Sequence, residues 1–152
     1  MPDTLGSALV RFSVLADDIN FLAVKVAAEG TRIANRRLAE HGLRVRSYAV
    51  LALANGERPV TQRDLSEVLS LDPSQIVALV DDLERDGLVR REVDASDRRS
   101  RVVRSTDDGR TRFVAARAAI AAAEAAQLAA LDTTERDTLR SLLARIVTHD
   151  QG

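Results

Sequence analysis

Apolar residues recur along most of this chain at spacings of three and four, which is typical of amphipathic helices. The clearest stretch is residues 72–87, DPSQIVALVDDLERDG. Its large apolar residues fall at i, i+3, i+4 and i+7, and they are Ile76, Leu79, Val80 and Leu83. Asp72 and Gly87 are residue types that favour the start and the end of a helix. The pattern predicts a capped helix with one buried face.

Three residues near the N-terminus of this helix lie off its apolar face: Ser74, Gln75 and Ala78. They are short and carry no negative charge. Another surface can therefore approach the first turns of the helix closely.

A shorter helix is predicted immediately before it, over residues 61–69, with Thr61 as the N-cap. Its apolar face consists of Leu65, Val68 and Leu69. Only residues 70–71 separate the two helices. Two short helices joined by so tight a turn form a helix-turn-helix, whose second helix reads DNA.

Two short β-prone runs follow, residues 88–93 (LVRREV) and 100–105 (SRVVRS), and the polar turn DASDRR joins them. Helix, strand, charged turn and strand is the order of a winged helix. The sequence therefore predicts a winged helix-turn-helix in the middle of the chain.

Longer helices are predicted on both sides of this unit. They cover residues 4–16, 19–41, 44–55, about 106–130 and 132–147. Gly30 interrupts the second of them and permits a bend or a close helix crossing. These helices carry more apolar surface than one small winged helix can cover. We therefore expect a second copy of the chain to cover the remainder.

The composition is that of a globular protein: 152 residues, 45% hydrophobic, 30% charged and without cysteine. The missing cysteine excludes disulfides and thiol catalysis. Two histidines without a ligand-spaced cluster argue against a metal site, and we expect no cofactor. No run is long and apolar enough for a membrane span, and the N-terminus has no pattern of a secretory signal. We therefore expect a cytoplasmic protein.

Charge is distributed unevenly, although the net charge is only −1. Residues 88–104 hold six arginines against three acidic residues, whereas residues 72–86 hold five acidic residues against Arg85 alone. A DNA-binding reading therefore assigns the positive charge to the wing. The acidic end of the recognition helix would have to face away from phosphate.

Two other classes of function are compatible with a chain of this size. An enzyme is not indicated, because the chain lacks the serine-hydrolase, zinc-protease and phosphate-loop motifs. A winged helix used only for protein–protein contact stays open as the alternative, and the acidic recognition helix is what favours it.

Residues 71–110 resemble the MarR family of bacterial transcription regulators. The markers are GLVRR after the recognition helix, DRR in the wing, and T-x-x-G-R at Thr106, Gly109 and Arg110. Their order and spacing carry the resemblance, which extends over about residues 18–147.

The resemblance implies a mainly α fold in which residues 44–105 form the DNA-binding winged helix-turn-helix. Residues 1–43 and 106–152 would form a helical dimerisation region, all within one compact domain. The implied function is a ligand-responsive repressor that binds double-stranded DNA as a homodimer at a pseudo-palindromic operator.

The resemblance also implies the site residues. Base contacts from the recognition helix map onto Ser74, Gln75 and Ala78. The wing arginine that enters the minor groove maps onto Arg99, and the aspartate that orients it maps onto Asp97. We further assign Arg98 and Arg101 to the wing's DNA contacts. The expected phosphate contacts are Arg44, Thr61, Gln62 and Arg63.

Members of the family often bind small aromatic acids between the dimer base and the winged helix. The candidate residues for such an effector here are Lys25, Arg46, Tyr48 and Phe113. They form no recognisable ligand motif.

Overall fold

A computed structural model of the chain describes residues 5–149, and for Leu5 it describes the backbone alone. The fold is mainly α with one small antiparallel sheet, as predicted. The helices are α1 (Leu5–Arg11), α2 (Ile19–Ala39), α3 (Val45–Ala54), α4 (Gln62–Leu69), α5 (Pro73–Arg85), α6 (Asp107–Gln127) and α7 (Thr133–Thr148). The strands are β1 (Val60–Thr61), β2 (Val89–Val93) and β3 (Arg101–Ser105). No helix within residues 5–149 is long and apolar enough to cross a membrane.

The N-terminal segment is not the single helix predicted over residues 4–16. Helix α1 ends at Arg11, and a short 3-10 turn covers Val14–Ala16. Ser13 causes the break, because its hydroxyl accepts from Leu15 N–H at 3.2 Å and donates to the Val10 carbonyl at 3.0 Å. Such local side-chain bonds compete with helical backbone bonds. Thr4, the predicted first residue, lies outside the described residues.

The long helix α2 begins where the sequence predicts. The Asp18 carboxylate caps it by accepting from Phe21 N–H at 2.9 Å. The helix ends at Ala39, two residues before the predicted end, and Gly42 follows in the left-handed conformation with φ 68°. The helix is continuous through Gly30, and of its two predicted roles the close helix crossing is confirmed, because a Cβ there would lie 2.7 Å from Gln127 Oε1 on α6.

The helix-turn-helix has the predicted helices and caps. Thr61 and Asp64 form a capping box at the start of α4, with Asp64 N–H donating to Thr61 Oγ1 at 3.1 Å. Ser70 adopts a left-handed conformation with φ 50°, which turns the chain into α5. Gly87 ends the next helix unit with φ 72°, as predicted.

The sheet has the strand order β1-β3-β2, with both pairs antiparallel. The two predicted wing strands are β2 and β3, and Val89 pairs with Ser105 at the base of the wing. Strand β1 was not predicted. Val60 and Thr61 pair with Val103 and Val102, so the lead into the helix-turn-helix is fixed to the wing.

The core of the described residues is one cluster that consists mostly of aliphatic side chains. In it the inward face of α5 packs against residues of α2, α3, α4, α6, β2 and β3. The predicted inward residues Ile76, Val80 and Leu83 are buried. Leu65 of α4 is also buried, but Val68 is 63% exposed, so the predicted apolar face of that helix is wrong at this position. Leu38 of α2 and Ala116 of α6 lie in the same cluster. The proposed division at residues 43 and 105 stays a prediction.

Large apolar residues outside this cluster remain exposed. Helix α7 contains no buried residue, and its predicted stripe includes Leu142 at 46%, Leu143 at 49% and Ile146 at 68% exposure. The N-terminal segment adds Leu9, Phe12, Val14 and Ile19. One copy of the chain therefore leaves a wide apolar surface uncovered at one end.

Candidate nucleic-acid interface

The first turns of α5 present an exposed surface at the positions predicted for base contacts. Ser74, Gln75 and Ala78 are all exposed, while Ile76 between them is buried in the core. Gln75 has a second role, because its Oε1 accepts from Asp72 N–H at 3.3 Å at the helix start. Its side-chain NH₂ group remains the part that is free to donate to a base edge.

The wing turn is built on backbone contacts of two aspartates. The Asp97 carboxylate accepts from Arg99 N–H at 3.0 Å, and Ser100 N–H donates to the Asp97 carbonyl at 2.9 Å. Asp94 N–H donates to the Ser100 carbonyl at 3.0 Å, which closes the turn across β2 and β3. Asp97 therefore positions Arg99 through its backbone rather than through its guanidinium.

Asp94 fixes the first half of the same turn. Its carboxylate accepts from Ser96 N–H at 2.8 Å and from Ser96 Oγ at 2.7 Å. These hydrogen bonds hold the pKa of Asp94 below its usual value. The turn is thus a defined structure that presents residues 97–99 at its tip.

The wing arginines fall into two groups. Arg98, Arg99 and Arg101 are exposed, and no ion pair involving them is found within residues 5–149. Arg90 and Arg104, on the strands, instead both contact Glu92, and Arg104 lies 3.8 Å from it. The three exposed arginines keep their full charge available to a polyanion, whereas the strand pair is partly neutralised.

Arg91 has a different environment from the other wing arginines, because it points into the junction of three elements. Its Nε donates to Gln62 Oε1 of α4 at 2.8 Å, and its other nitrogens bind Asp81, at 2.5 Å, and Glu84 of α5. Its backbone N–H also donates to Glu84 Oε1 at 3.0 Å. Burial lowers the pKa of Arg91, but the hydrogen bonds to both carboxylates outweigh burial and the pKa is raised. Arg91 is therefore a charged internal contact.

The four predicted phosphate contacts divide evenly between exposed and internally engaged side chains. Arg44, the N-cap residue of α3, and Arg63 of α4 are exposed. The Thr61 hydroxyl donates to Asp64 Oδ2 at 2.8 Å, and Gln62 accepts from Arg91. The hydrogen bonds from Thr61 also lower the pKa of Asp64. Of the four residues, Arg44 and Arg63 are therefore the two whose side chains are exposed and positively charged, as a phosphate contact requires.

The structure brings together two of the four predicted effector residues. The rings of Tyr48 and Phe113 stack with centroids 5.8 Å apart and an interplanar angle of 19°. Burial raises the pKa of the Tyr48 hydroxyl. Lys25 and Arg46 are exposed on α2 and α3, and neither lines the cavity beside Tyr48.

That cavity has a volume of about 470 Å³ and lies between α3, α6 and α7. Its lining includes Tyr48, Arg117, Ile120, Glu124, Arg136 and Arg140. Arg140 lies 3.5 Å from Glu124, and Arg136 Nε donates to the carbonyls of Leu128 and Leu131 in the turn before α7. The sequence reasoning missed the three arginines. The only signal was the spacing of Arg136 and Arg140, four apart on one helix face.

Comparison with known proteins agrees with this geometry. The sequence model of the MarR family matches residues 41–100. A MarR family transcriptional regulator from Rhodococcus sp. RHA1 is 39% identical, with a TM-score of 0.83 over 90% of this chain and 96% of the other. CouR from Rhodococcus jostii RHA1, solved bound to p-coumaroyl-CoA, is 39% identical, with a TM-score of 0.82 over 92% of this chain and 99% of the other. A probable transcriptional regulator from Pseudomonas aeruginosa is 29% identical, with a TM-score of 0.75 over 87% of this chain and 98% of the other.

A search of curated proteins gives no match. The identity to the two Rhodococcus proteins extends over nine-tenths or more of the chain, well beyond the winged helix. Regulators of this kind are transcription factors and not enzymes. The chain therefore belongs to the MarR family of transcriptional regulators.

Proposed function

We propose that this regulator binds double-stranded DNA directly and acts as a homodimer on a pseudo-palindromic operator, as a ligand-responsive repressor. The observation that carries the proposal is the set of exposed wing arginines that form no ion pair within residues 5–149: Arg98, Arg99 and Arg101. These arginines form a basic surface on the wing. The exposed first turns of α5 form an uncharged surface on the same winged helix. This combination suits a minor-groove contact beside a major-groove helix.

In this proposal the wing and the recognition helix have different tasks. Arg99 enters the minor groove, where a guanidinium responds to groove width and phosphate charge more than to base identity. Asp97 fixes the Arg99 backbone at 3.0 Å and so sets the direction of the arginine. Ser74, Gln75 and Ala78 contact base edges in the major groove. Arg44 and Arg63 supply phosphate contacts, with Arg98 and Arg101 beside them on the wing.

The homodimer rests on the uncovered apolar residues at the N-terminus and on α7. Phe12 at 86%, Val147 at 82% and Ile19 at 79% exposure are too apolar to face water in a stable soluble chain. A second copy offers the same surface, so a two-fold arrangement can bury both at once. The two winged helices would then address two half-sites. The proposed dimerisation region is residues 1–43 and 106–152.

A salt series of DNA binding tests direct DNA contact. The affinity for a random duplex should fall steeply as salt rises, because bound arginines release counterions from DNA. Selection from a random pool should then yield a two-fold related site bound more tightly than random sequence. A chain that binds neither duplex at low salt would favour the protein-contact alternative.

We propose that the effector site is the cavity beside Tyr48. The 39% identical CouR was solved with p-coumaroyl-CoA, which combines an aromatic acyl group with several anionic phosphates. Here the cavity offers a tyrosine ring together with Arg117, Arg136 and Arg140, so its chemistry fits an aromatic anion. An aromatic carboxylate or its thioester with coenzyme A is the ligand class we expect.

A further inference from the structure

The recognition helix carries a charge that opposes DNA binding. Residues 72–86 contain five acidic residues and one basic residue, Arg85. Asp81 stands three and seven residues after Ala78 and Ser74, which places all three on the same outward line of the helix. A carboxylate on this line is directed toward the DNA that the other two residues would contact.

The structure supplies a partner for this carboxylate from outside the helix. Arg91 of β2 binds Asp81 Oδ1 at 2.5 Å and also binds Glu84, one turn further along α5. The Arg91 side chain is only 22% exposed, whereas Asp81 and Glu84 are 54% and 39% exposed, so the arginine is held in place while both carboxylates still border solvent. Asp82, by contrast, pairs with Arg85 within its own helix, where both side chains are largely exposed.

Arg91 also holds the two helices of the helix-turn-helix in position relative to the wing. Its Nε donates to Gln62 of α4 at 2.8 Å, and its own N–H donates to Glu84 at 3.0 Å. One guanidinium therefore joins both helices of the helix-turn-helix to the first wing strand. The planar fork can hold three acceptors at once, which a lysine ammonium on a flexible stem does less well.

We propose that Arg91 is a positioning residue for DNA binding, which screens the acidic face of the recognition helix from phosphate and holds that helix to the wing. This inference rests on the proposed DNA binding. It differs from a direct phosphate contact in one measurable way: the effect of removing Arg91 depends on whether Asp81 and Glu84 are charged.

A charge-rescue cycle separates the two mechanisms. We would measure random-duplex affinity over a salt series for the full-length wild type, Arg91→Ala, the double variant Asp81→Asn/Glu84→Gln, and the triple variant. Arg91→Ala should weaken binding roughly tenfold, because Asp81 on the outward line of the helix and Glu84 beside it would then carry unscreened negative charge near DNA. In the background without the two carboxylates, the same change should cost less than about threefold.

The matched control removes two other acidic residues from the same helix unit, Asp82→Asn/Asp86→Asn, neither of which contacts Arg91. Adding Arg91→Ala to this control background should still cost roughly tenfold. An equal loss in all backgrounds, with the salt slope reduced by about one, would identify a phosphate contact and overturn the proposal. Unchanged affinity in Arg91→Ala would overturn it as well.

Three further outcomes are informative. If Arg91→Ala does not fold by circular dichroism, Arg91→Lys replaces it in each background, and its smaller loss should show the same dependence on Asp81 and Glu84. If the wild type binds no duplex at low salt, the proposed function fails and this inference with it. If the wild type binds and the cycle shows no coupling, only the inference fails.

Discussion

Gly109 lies against the backbone carbonyl of Leu88, so closely that a Cβ at residue 109 would stand 1.9 Å from that oxygen. The Gly109 N–H donates to Thr106 Oγ1 at 3.0 Å. The obstacle is backbone, so no side-chain rotation can relieve it. Glycine is therefore required where α6 begins against the end of the α5 unit, and this explains the glycine in the T-x-x-G-R motif.

We expect Gly109→Ala to lower the free energy of unfolding by about 1–3 kcal/mol, the usual range for overpacking. This loss should appear even though alanine is favoured over glycine in a helix by about 1 kcal/mol. Gly30→Ala is the matched control, because its Cβ would meet only the movable end of Gln127 at 2.7 Å. Thermal unfolding of both variants decides the matter. Equal stability of the two would contradict the close-contact interpretation.

Ile146→Asp should dissociate the proposed homodimer, because a carboxylate would have to be buried in an apolar interface. Sedimentation at micromolar concentration should change from one species of twice the chain mass to a monomer. Val93→Asp is the control: Val93 is 54% exposed but lies on the wing, so this variant should keep the wild-type mass. A wild type that is a stable folded monomer would refute the dimer.

Arg99→Ala should weaken binding to specific and random duplexes alike and reduce the salt slope by about one counterion per subunit. Gln75→Ala should cost about 1–3 kcal/mol on the specific site and little on random DNA. Asp97→Ala should resemble a milder Arg99→Ala, because it frees the backbone N–H that Asp97 holds at 3.0 Å. Unchanged affinity of Arg99→Ala on both duplexes would show that the wing assignment is wrong.

Val77, 40% exposed, lies next to Ala78 on α5, and both are suited to contact the 5-methyl group of thymine. Replacing one contacted thymine by uracil should weaken wild-type binding roughly fourfold, the equivalent of about 0.8 kcal/mol for one buried methyl group. Val77→Ala should reduce this difference. Val68→Ala changes a more exposed valine, at 63%, on α4 and should leave this difference unchanged. If no thymine in the selected site shows the difference, the helix does not read methyl groups.

p-Coumaroyl-CoA should lower the DNA affinity of the wild type, and by linkage DNA should weaken its binding by the same factor. Arg117→Gln should weaken ligand binding about 10- to 150-fold, since a charge-assisted hydrogen bond contributes about 1.5–3 kcal/mol. Lys25→Gln and Arg46→Gln, outside the cavity, should bind it normally. If Lys25→Gln and Arg46→Gln weakened the ligand more than Arg117→Gln does, the effector residues predicted from the sequence would be favoured. No change in affinity or thermal stability with this ligand or p-coumarate would remove the effector proposal.

Features set by neighbouring residues were predictable from the sequence. The caps of α4 and α7 are examples: Asp132 and Glu135 form a reciprocal pair with both hydrogen bonds at 2.9 Å. The exposed positions of α5 follow from helical spacing alone. Both the element order of the winged helix and its family markers depend on such short-range signals.

Features that join distant parts of the chain were not predictable in this way. Strand β1 is only two residues long and exists because β3 offers it a partner. Arg91 contacts a side chain twenty-nine residues away, so no local pattern in the sequence indicates this contact. The arginines of the effector cavity meet Tyr48 only because α6 and α7 fold back on α3.

The contact of Thr106 with Gly87 has a mechanical consequence. The Thr106 hydroxyl donates to the Gly87 carbonyl at 2.6 Å, so the start of α6 is fastened to the residue that ends the recognition helix unit. Helix α6 has 21 residues. Such a helix is about 30 Å long, so a tilt of about 6° about its far end would displace the recognition helix by about 3 Å. In a two-fold dimer the two α6 helices would tilt in opposite directions. The distance between the two recognition helices would then change by twice the displacement of each. Under the proposed function, a ligand bound near Arg117, midway along α6, would need to shift the backbone only slightly to move the two recognition helices out of register with successive turns of DNA.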